Sequence, residues 1–179
     1  MAGEWGPVGR AMGAAGNSAL RAGEVRVRRA ADEDVVELTR LINAAFAVEQ
    51  VAFDGDRVDV ASVRKYMTTG VFLLAADAAG LVGCVYIEIR GERSYLGLLS
   101  VEPARQGRGL GRKLMAEAEQ FARGAGSRAM DLRVISPRAA QLVPFYLRLG
   151  YHETGTRPIP AELASKVPTH YVMMSKALG

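Results

Sequence analysis

The sequence predicts a mixed α/β (α+β) fold, with a mostly antiparallel central sheet of six to seven strands flanked by about four helices. Three observations predict it. Short early runs that favour strands are separated by turn residues, as in antiparallel hairpins. Later apolar runs alternate with segments of helical period, as in α/β crossovers. Hydrophobic residues make up 49% and charged residues 23% of the 179 positions, which is enough apolar surface to close a core without staples.

The elements follow in order. Val25–Arg29 alternates apolar and basic residues and reads as a first strand. Asp32 stands at a helix N-cap position, followed by Val35, Leu38, Leu41, Ile42 and Ala45 at helical spacing. Val48–Asp59 is irregular, and a second helix covers Val60–Thr68. Val71–Ala76 and Leu81–Arg90 form a hairpin around Asp77-Ala-Ala-Gly80. The chain turns again at Arg90-Gly-Glu-Arg93 into Ser94–Val101, which Pro103 ends. A long helix runs from Gly109 to Gly124, with Leu110, Leu114, Ala118 and Phe121 on its core face. Met130–Ile135 is an apolar strand. Pro137 opens a fourth helix that reaches Leu149, with Gly150 as its C-cap and Pro144 as a kink. Tyr151–Arg157 and His170–Ser175 are late strands. The order is β-α-α-β-β-β-α-β-α-β-β, and the sheet is therefore mixed.

Residues 1–22, rich in glycine and alanine, are expected to be a mobile tail, with residues 23–179 as a single domain. No stretch approaches the ~18 consecutive apolar residues of a membrane helix, so no membrane partner is expected. One cysteine, Cys84, excludes an internal disulfide and fits the cytoplasm. His152 and His170 are the only histidines, and without a nearby third ligand no metal site is expected. The net charge of +4 fits an anionic ligand. The arginines gather at one loop without an aromatic-basic platform, so nucleic acid is not the expected partner.

That loop is the most informative stretch: Leu98-Leu-Ser-Val-Glu-Pro-Ala-Arg-Gln-Gly-Arg-Gly-Leu-Gly-Arg112. A strand ends, the chain turns, and a helix opens through Gly107, Gly109 and Gly111. Glycines free the backbone to aim successive N–H groups at one point, at the positive end of the helix dipole. Arg105, Arg108, Arg112 and Lys113 add charge. This is equipment for a pyrophosphate. No G-x-x-x-x-G-K-[ST] is present, and the spacing G-x-G-x-G is not the G-x-G-x-x-G of dinucleotide folds.

Gln106-Gly-Arg-Gly-Leu-Gly111 resembles the [Q/R]-x-x-G-x-[G/A] signature of the GNAT superfamily of acyl-CoA-dependent acyltransferases. Leu99-Ser-Val-Glu-Pro103 resembles the strand and proline that lead into it, and Phe145-Tyr-Leu-Arg-Leu-Gly-Tyr151 the family's F-Y-x-x-x-G-[F/Y] segment. The resemblance, which extends over residues 25–176, implies an N-acetyltransferase using acetyl-CoA on a primary amine. It implies that main-chain amides of Gln106, Gly107, Arg108, Gly109, Leu110, Gly111 and Arg112 hold the CoA pyrophosphate. Backbone groups of Leu99 and Val101 pair with the pantetheine arm like an added strand, beside a splayed sheet and often a β-bulge.

The same resemblance makes Tyr146 the acid that protonates the leaving thiolate, Val101 N–H the donor to the thioester carbonyl, and Glu88 the general base, directly or through water. Glu102 is a second candidate base. Alternation along the third strand puts Cys84, Tyr86 and Glu88 on one face, and Val85, Ile87 and Ile89 on the other. Cys84 reads as packing. The family's asparagine at the start of the fourth helix is Ala139 here, so Ser136 or Arg138 is expected to substitute for it. The acceptor side falls on Val48–Asp59 and Thr156–His170, where Glu49, Asp54, Asp56 and Asp59 would attract a cationic amine. A non-catalytic acyl-CoA-binding or sensor module would use the same cradle. The family also admits a homodimer through the late strands.

Overall fold

A computed structural model describes residues 24–179; the tail expected over residues 1–22 lies outside the described residues. The chain runs β1 (Arg26–Arg29), α1 (Val35–Phe46), α2 (Val60–Thr69), β2 (Val71–Asp77), β3 (Gly80–Arg90), β4 (Arg93–Val101), α3 (Leu110–Gly124), β5 (Ala129–Ile135), α4 (Ser136–Leu147), β6 (His152–Pro158) and β7 (His170–Ala177). This is the predicted order. The strands form one sheet, β1-β2-β3-β4-β5-β7-β6. Only β4 and β5 pair in parallel; every other neighbour is antiparallel.

The alternation read along β3 separates two cores. Cys84 and Tyr86 join Phe72 and Leu74 against Leu38, Leu41 and Ile42 of α1. Val85 and Ile87 join Leu73 and Leu96 against Leu114, Met115 and Ala118 of α3. Each fully buried aliphatic side chain contributes ~1.5–3 kcal/mol, against ~0–1 kcal/mol for an exposed ion pair, so these two apolar layers hold the sheet. Gly83 lets α3 approach: a Cβ there would stand 2.9 Å from Leu114 Cδ1 and 3.1 Å from Ser100 O.

The start of α1 differs from expectation. Asp32–Asp34 form a 3₁₀ turn and the α-helix begins at Val35. Asp34, not Asp32, carries the capping contact: its carboxylate accepts the Ala31 N–H at 2.8 Å and both guanidinium nitrogens of Arg28 at 2.7 Å. Asp32 instead meets Arg64 across the surface. Helix α2 is capped by Asp59, which accepts from Ser62 N–H.

Helices α3 and α4 end alike. Tyr151 N–H bonds Tyr146 O and Gly150 N–H bonds Leu147 O, with Gly150 at φ +88°. Ser127 and Gly126 repeat the pattern on Ala122 and Arg123. Both are Schellman closures, which need a left-handed residue. Pro144 lies inside α4, and the helix continues through it to Leu147.

The decisive irregularity is in β4. Cys84 pairs with Ser100 and Tyr86 with Gly97, so Leu98 and Leu99 together oppose Val85. Leu98 takes φ +49°, the one described non-glycine residue at positive φ. This β-bulge shifts the strand's parity. Leu98 packs with α1 and α2, while Leu99 and Val101 turn to the α3 and α4 side. β4 has parted from its parallel neighbour before the bulge is reached, pairing with β5 only at Arg93, Ser94 and Tyr95.

Glu119 of α3 is 6% exposed. Lys176 Nζ of β7 reaches its two oxygens at 2.8 and 2.7 Å, and Arg123 stands at 3.4 Å. Replacing Lys176 by Met leaves this carboxylate with one longer partner. A loss of about 2–4 kcal/mol is expected, read as a lower urea midpoint at unchanged m. An unchanged midpoint would remove the pair from the account of stability.

Candidate active site

The gap between β4 and β5 opens into a cleft of about 460 Å³, lined by the bulged half of β4, the loop before α3, β5, α4 and the segment after α1. Its first wall is backbone. Glu102 N–H bonds Val82 O; by the alternation of an antiparallel ladder, Val101 then turns its N–H and C=O away from β3, towards the gap. Gln106 Nε2 occupies the Val101 carbonyl at 3.1 Å. The Val101 N–H has no acceptor among the described residues.

The second wall is the start of α3. Its first helical bond joins Lys113 N–H to Gly109 O, so the amides of residues 107–112 have no protein acceptor among the described residues. The three glycines are not equivalent. Gly107 and Gly109 sit at φ +74° and +83° with open space where a side chain would go. Gly111 has no left-handed backbone and faces the protein: a Cβ there would be in ordinary contact with Phe145 Cζ at 3.6 Å. The cations also divide. Arg105 pairs with Asp77 at 3.0 Å, and Lys113 donates to Val25 O at 2.7 Å. Arg108 and Arg112 have no ion pair among the described residues.

Tyr146 comes from α4. It lines the cleft, is 7% exposed, and packs edge-on against Phe145 and Tyr151. Its hydroxyl has no hydrogen-bond partner among the described residues. Burial first, then Tyr95 and the charge of Glu49, push its pKa above the ordinary phenol range. It therefore stays protonated, the form that donates.

Glu88 is not in this cleft. It lines an adjoining groove, where Arg90 grips it at 2.8 and 2.9 Å. The Arg90 hydrogen bonds hold its carboxyl below the usual glutamate range, which weakens it as a base. Glu102 is held by Arg40 at 3.4 Å and does not line the cleft either. The carboxylate that does is Glu49, half-buried in the turn after α1. Burial raises its pKa, and Arg57 and Arg138 only partly oppose this. The sequence grouped Glu49 with three aspartates. Its distinguishing signal is position: it follows Phe46 by three residues, and both face the cleft.

The two segments expected on the acceptor side meet. Lys166 N–H and Ser165 Oγ bond Ala52 O at 2.9 and 3.0 Å, and Ala52 packs with Ile135 and Tyr171. Asp54 is paired with Lys166 at 3.0 Å and Asp59 caps α2. At the start of α4, Ser136 Oγ is taken by the His170 N–H at 3.1 Å, whereas Arg138 lines the cleft beside Gln141. Cys84 is fully buried, and burial pushes its thiol up to about 12, so it offers no thiolate.

The family described as acetyltransferase (GNAT) domain matches residues 42–163, more than half of the chain. The chain belongs to the GNAT acetyltransferases. Solved structures share the fold. One is a protein from Desulfovibrio desulfuricans assigned to the GNAT family (17% identity, TM-score 0.72, 87% of this chain and 100% of that one). Another is yncA of Salmonella typhimurium, solved with its cofactor acetyl-CoA (21%, 0.69, 87% and 94%). A third is the ribosomal-protein-S18-alanine N-acetyltransferase of Escherichia coli (16%, 0.66, 87% and 95%).

GNAT acetyltransferases use acetyl-CoA. The cleft fits such a group: unpaired amides at a helix start suit a diphosphate, and a free strand edge suits an amide-bearing arm. Replacing Gly109 by Ala puts a Cβ at φ +83° and into the open space. The expected result is at least a ~10-fold weaker Kd for acetyl-CoA by calorimetry, with backbone strain of about 1–2 kcal/mol. Gly124→Ala, at the far end of α3 with nothing near its Cβ, should bind as the parent does. Equal binding by the two variants would remove the loop from the donor site.

Proposed function

We propose that the protein transfers the acetyl group of acetyl-CoA to a primary amine by direct attack in a ternary complex. One observation carries this reading. Glu49, whose burial makes it a stronger base than an ordinary glutamate, and Tyr146, a buried phenol with a free hydroxyl, face the same cleft as the unpaired β4 edge and the α3 amides. The reading takes residues 23–179 as one catalytic domain, with 1–22 as a tail, working in the cytoplasm with its single cysteine reduced.

When bound, acetyl-CoA supplies an electrophilic thioester carbonyl and a thiolate leaving group. The chain supplies the rest. Val101 N–H donates to the carbonyl oxygen as negative charge gathers there. Glu49 accepts a proton from the ammonium of the acceptor, directly or through one water, leaving a neutral nucleophile. Tyr146 donates its proton to the departing sulfur. A thiolate forming among Tyr146, Phe145 and Leu142 is desolvated, which raises its demand for that proton. The second proton shed by nitrogen as the amide forms restores the phenol, directly or through water. Amides 107–112, with Arg108 and Arg112, anchor the diphosphate, and Leu99 and Val101 align the arm; the Gln106 amide, expected to join them, is instead bonded to Pro103 O at 3.4 Å. Of the two glutamates, Glu49 takes the role first assigned to Glu88, because burial favours proton uptake at Glu49 and Arg90 opposes it at Glu88.

The sign of the pH dependence follows. A base works only when ionised, and the Glu49 pKa is raised. Activity should therefore fall on the acid side at a pH above the ordinary glutamate value of ~4.3. Free-thiol release with acetyl-CoA and a panel of amines tests this. Glu49→Gln should lower kcat by ~100-fold and abolish the acid limb, whereas Glu88→Gln should keep it. An acid limb intact in Glu49→Gln would transfer the role elsewhere.

Tyr146→Phe should lower kcat by ~10-fold or more with acetyl-CoA binding unchanged. Unchanged kcat would end its role as the acid. Thiol release with no amine in the panel, despite tight acetyl-CoA binding, would favour the non-catalytic module.

A further inference from the structure

The groove beside the cleft has a volume of about 600 Å³ and joins it at Arg57, Tyr95, Gly97, Leu98 and Arg133. Five arginines line it (57, 90, 93, 133 and 157) against two carboxylates, Glu88 and Asp131. The carboxylates are spent: Arg90 holds Glu88 and Arg93 holds Asp131. Arg57, Arg133 and Arg157 have no hydrogen bond or ion pair to a carboxylate among the described residues.

Two of these three are also held in place. The Arg133 guanidinium lies 4.4 Å from the ring centre of Tyr171 and 5.5 Å from that of Tyr95. Arg57 lies 5.4 Å from the ring centre of Phe46. Stacking fixes the guanidinium plane while leaving its N–H donors to an in-plane acceptor, the geometry that suits a carboxylate or other oxyanion. A second recess adjoining the cleft carries the reverse charge. About 330 Å³ in volume, it is lined by Glu49, Asp54, Asp56 and Glu162, with Arg57 at its border. The cleft thus adjoins both an acidic recess at the proposed base and an arginine groove.

We propose that the acceptor is an amine that also carries an oxyanion, its ammonium drawn to Glu49 and its carboxylate or equivalent gripped by Arg133 with Arg57 and Arg157. This rests on the acetyltransferase reading above and names the substrate class of that site. It narrows the expectation of a cationic amine drawn to the acidic segment: Asp54 and Asp59 are engaged, and arginines without a carboxylate partner among the described residues face the space next to the cleft.

The test uses the full chain, with acetyl-CoA binding measured first by calorimetry; no binding there overturns the acetyltransferase reading itself. With binding established, thiol release is compared for the common L-α-amino acids, their carboxamides, short peptides with acidic side chains near the N-terminus, and spermidine. The expected result is a kcat/KM roughly 10- to 100-fold higher for acceptors with the oxyanion than for their neutral counterparts. Preference for the amino acids or for the peptides identifies the oxyanion's source.

Arg133→Gln should raise KM for the preferred acceptor by a similar factor and erase the difference between acid and carboxamide; Arg157, which lines the groove but not the cleft, is the position whose replacement should leave the acetyl-CoA Kd unaltered. Arg157→Gln, on the edge strand, gives the same direction with a smaller factor and serves if the first variant misfolds. Equal turnover of carboxamides or spermidine, or no turnover of any oxyanion-bearing acceptor despite acetyl-CoA binding, would overturn the proposal while leaving the donor site intact.

Discussion

The site depends on a backbone constraint: β4 cannot stay paired with β5. The two strands share a ladder at three residues, ending at Tyr95, and the bulge at Leu98–Leu99 re-aims the unpaired remainder of β4. A strand that leaves its neighbour exposes unpaired N–H and C=O groups, which are costly unless something satisfies them. Gln106 satisfies one, the Val101 carbonyl. The Val101 N–H remains for a ligand. The left-handed backbone at Leu98 costs of order 1–3 kcal/mol. The buried layers on both faces offset it, since Leu98 packs on one side and Leu99 and Val101 on the other.

From this gap the other parts take their positions. The loop leaving β4 has to turn at once into α3, and Pro103 with Gly107 and Gly109 makes that turn, which aims the helix start across the mouth of the gap. Helix α4 follows β5 directly and closes the far side, so Tyr146 faces in. The segment after α1 then covers the end where β4 and β5 diverge, and it brings Glu49 with it. The proposed donor anchor, acid and base come from separate stretches of chain that line one cleft where the strands diverge.

Much of this was legible in the sequence. Element order followed from periodicity and punctuation, and the closure at Gly150 from the need for a left-handed residue after a helix; the matching closure at Gly126 emerged only in the structure. The glycine loop and Tyr146 were found through local motifs, whose spacing survives without knowledge of the fold. The base was harder to read. Glu88 sits on the strand face that alternation assigned it, yet alternation says nothing about Arg90 two residues on, whose side chain folds back and takes the carboxylate. Glu49 lies in a turn with no period at all, and only the docking of that turn over Ile135 and Tyr171 buries it. Likewise Asp34 displaced Asp32 as the cap because Arg28, on the strand before, orients it.

The arginine groove was invisible for a related reason. Arg57, Arg133 and Arg157 come from a loop, a central strand and an edge strand, and each alone reads as a solvated cation. Folding changes their meaning in two steps. Pairing β5 with β7 along its whole length sets Arg133 opposite Met173 and brings the Tyr171 ring beneath its guanidinium. Tyr95, the last β4 residue paired with β5, stands two residues along from Arg133 across the ladder and sets its ring 5.5 Å from the same guanidinium. A cation between two rings is orientated without being neutralised, so its charge is kept for a partner from solution. In the proposed reading, the strand edge that serves the donor and the arginine that meets the acceptor's oxyanion line the same cleft.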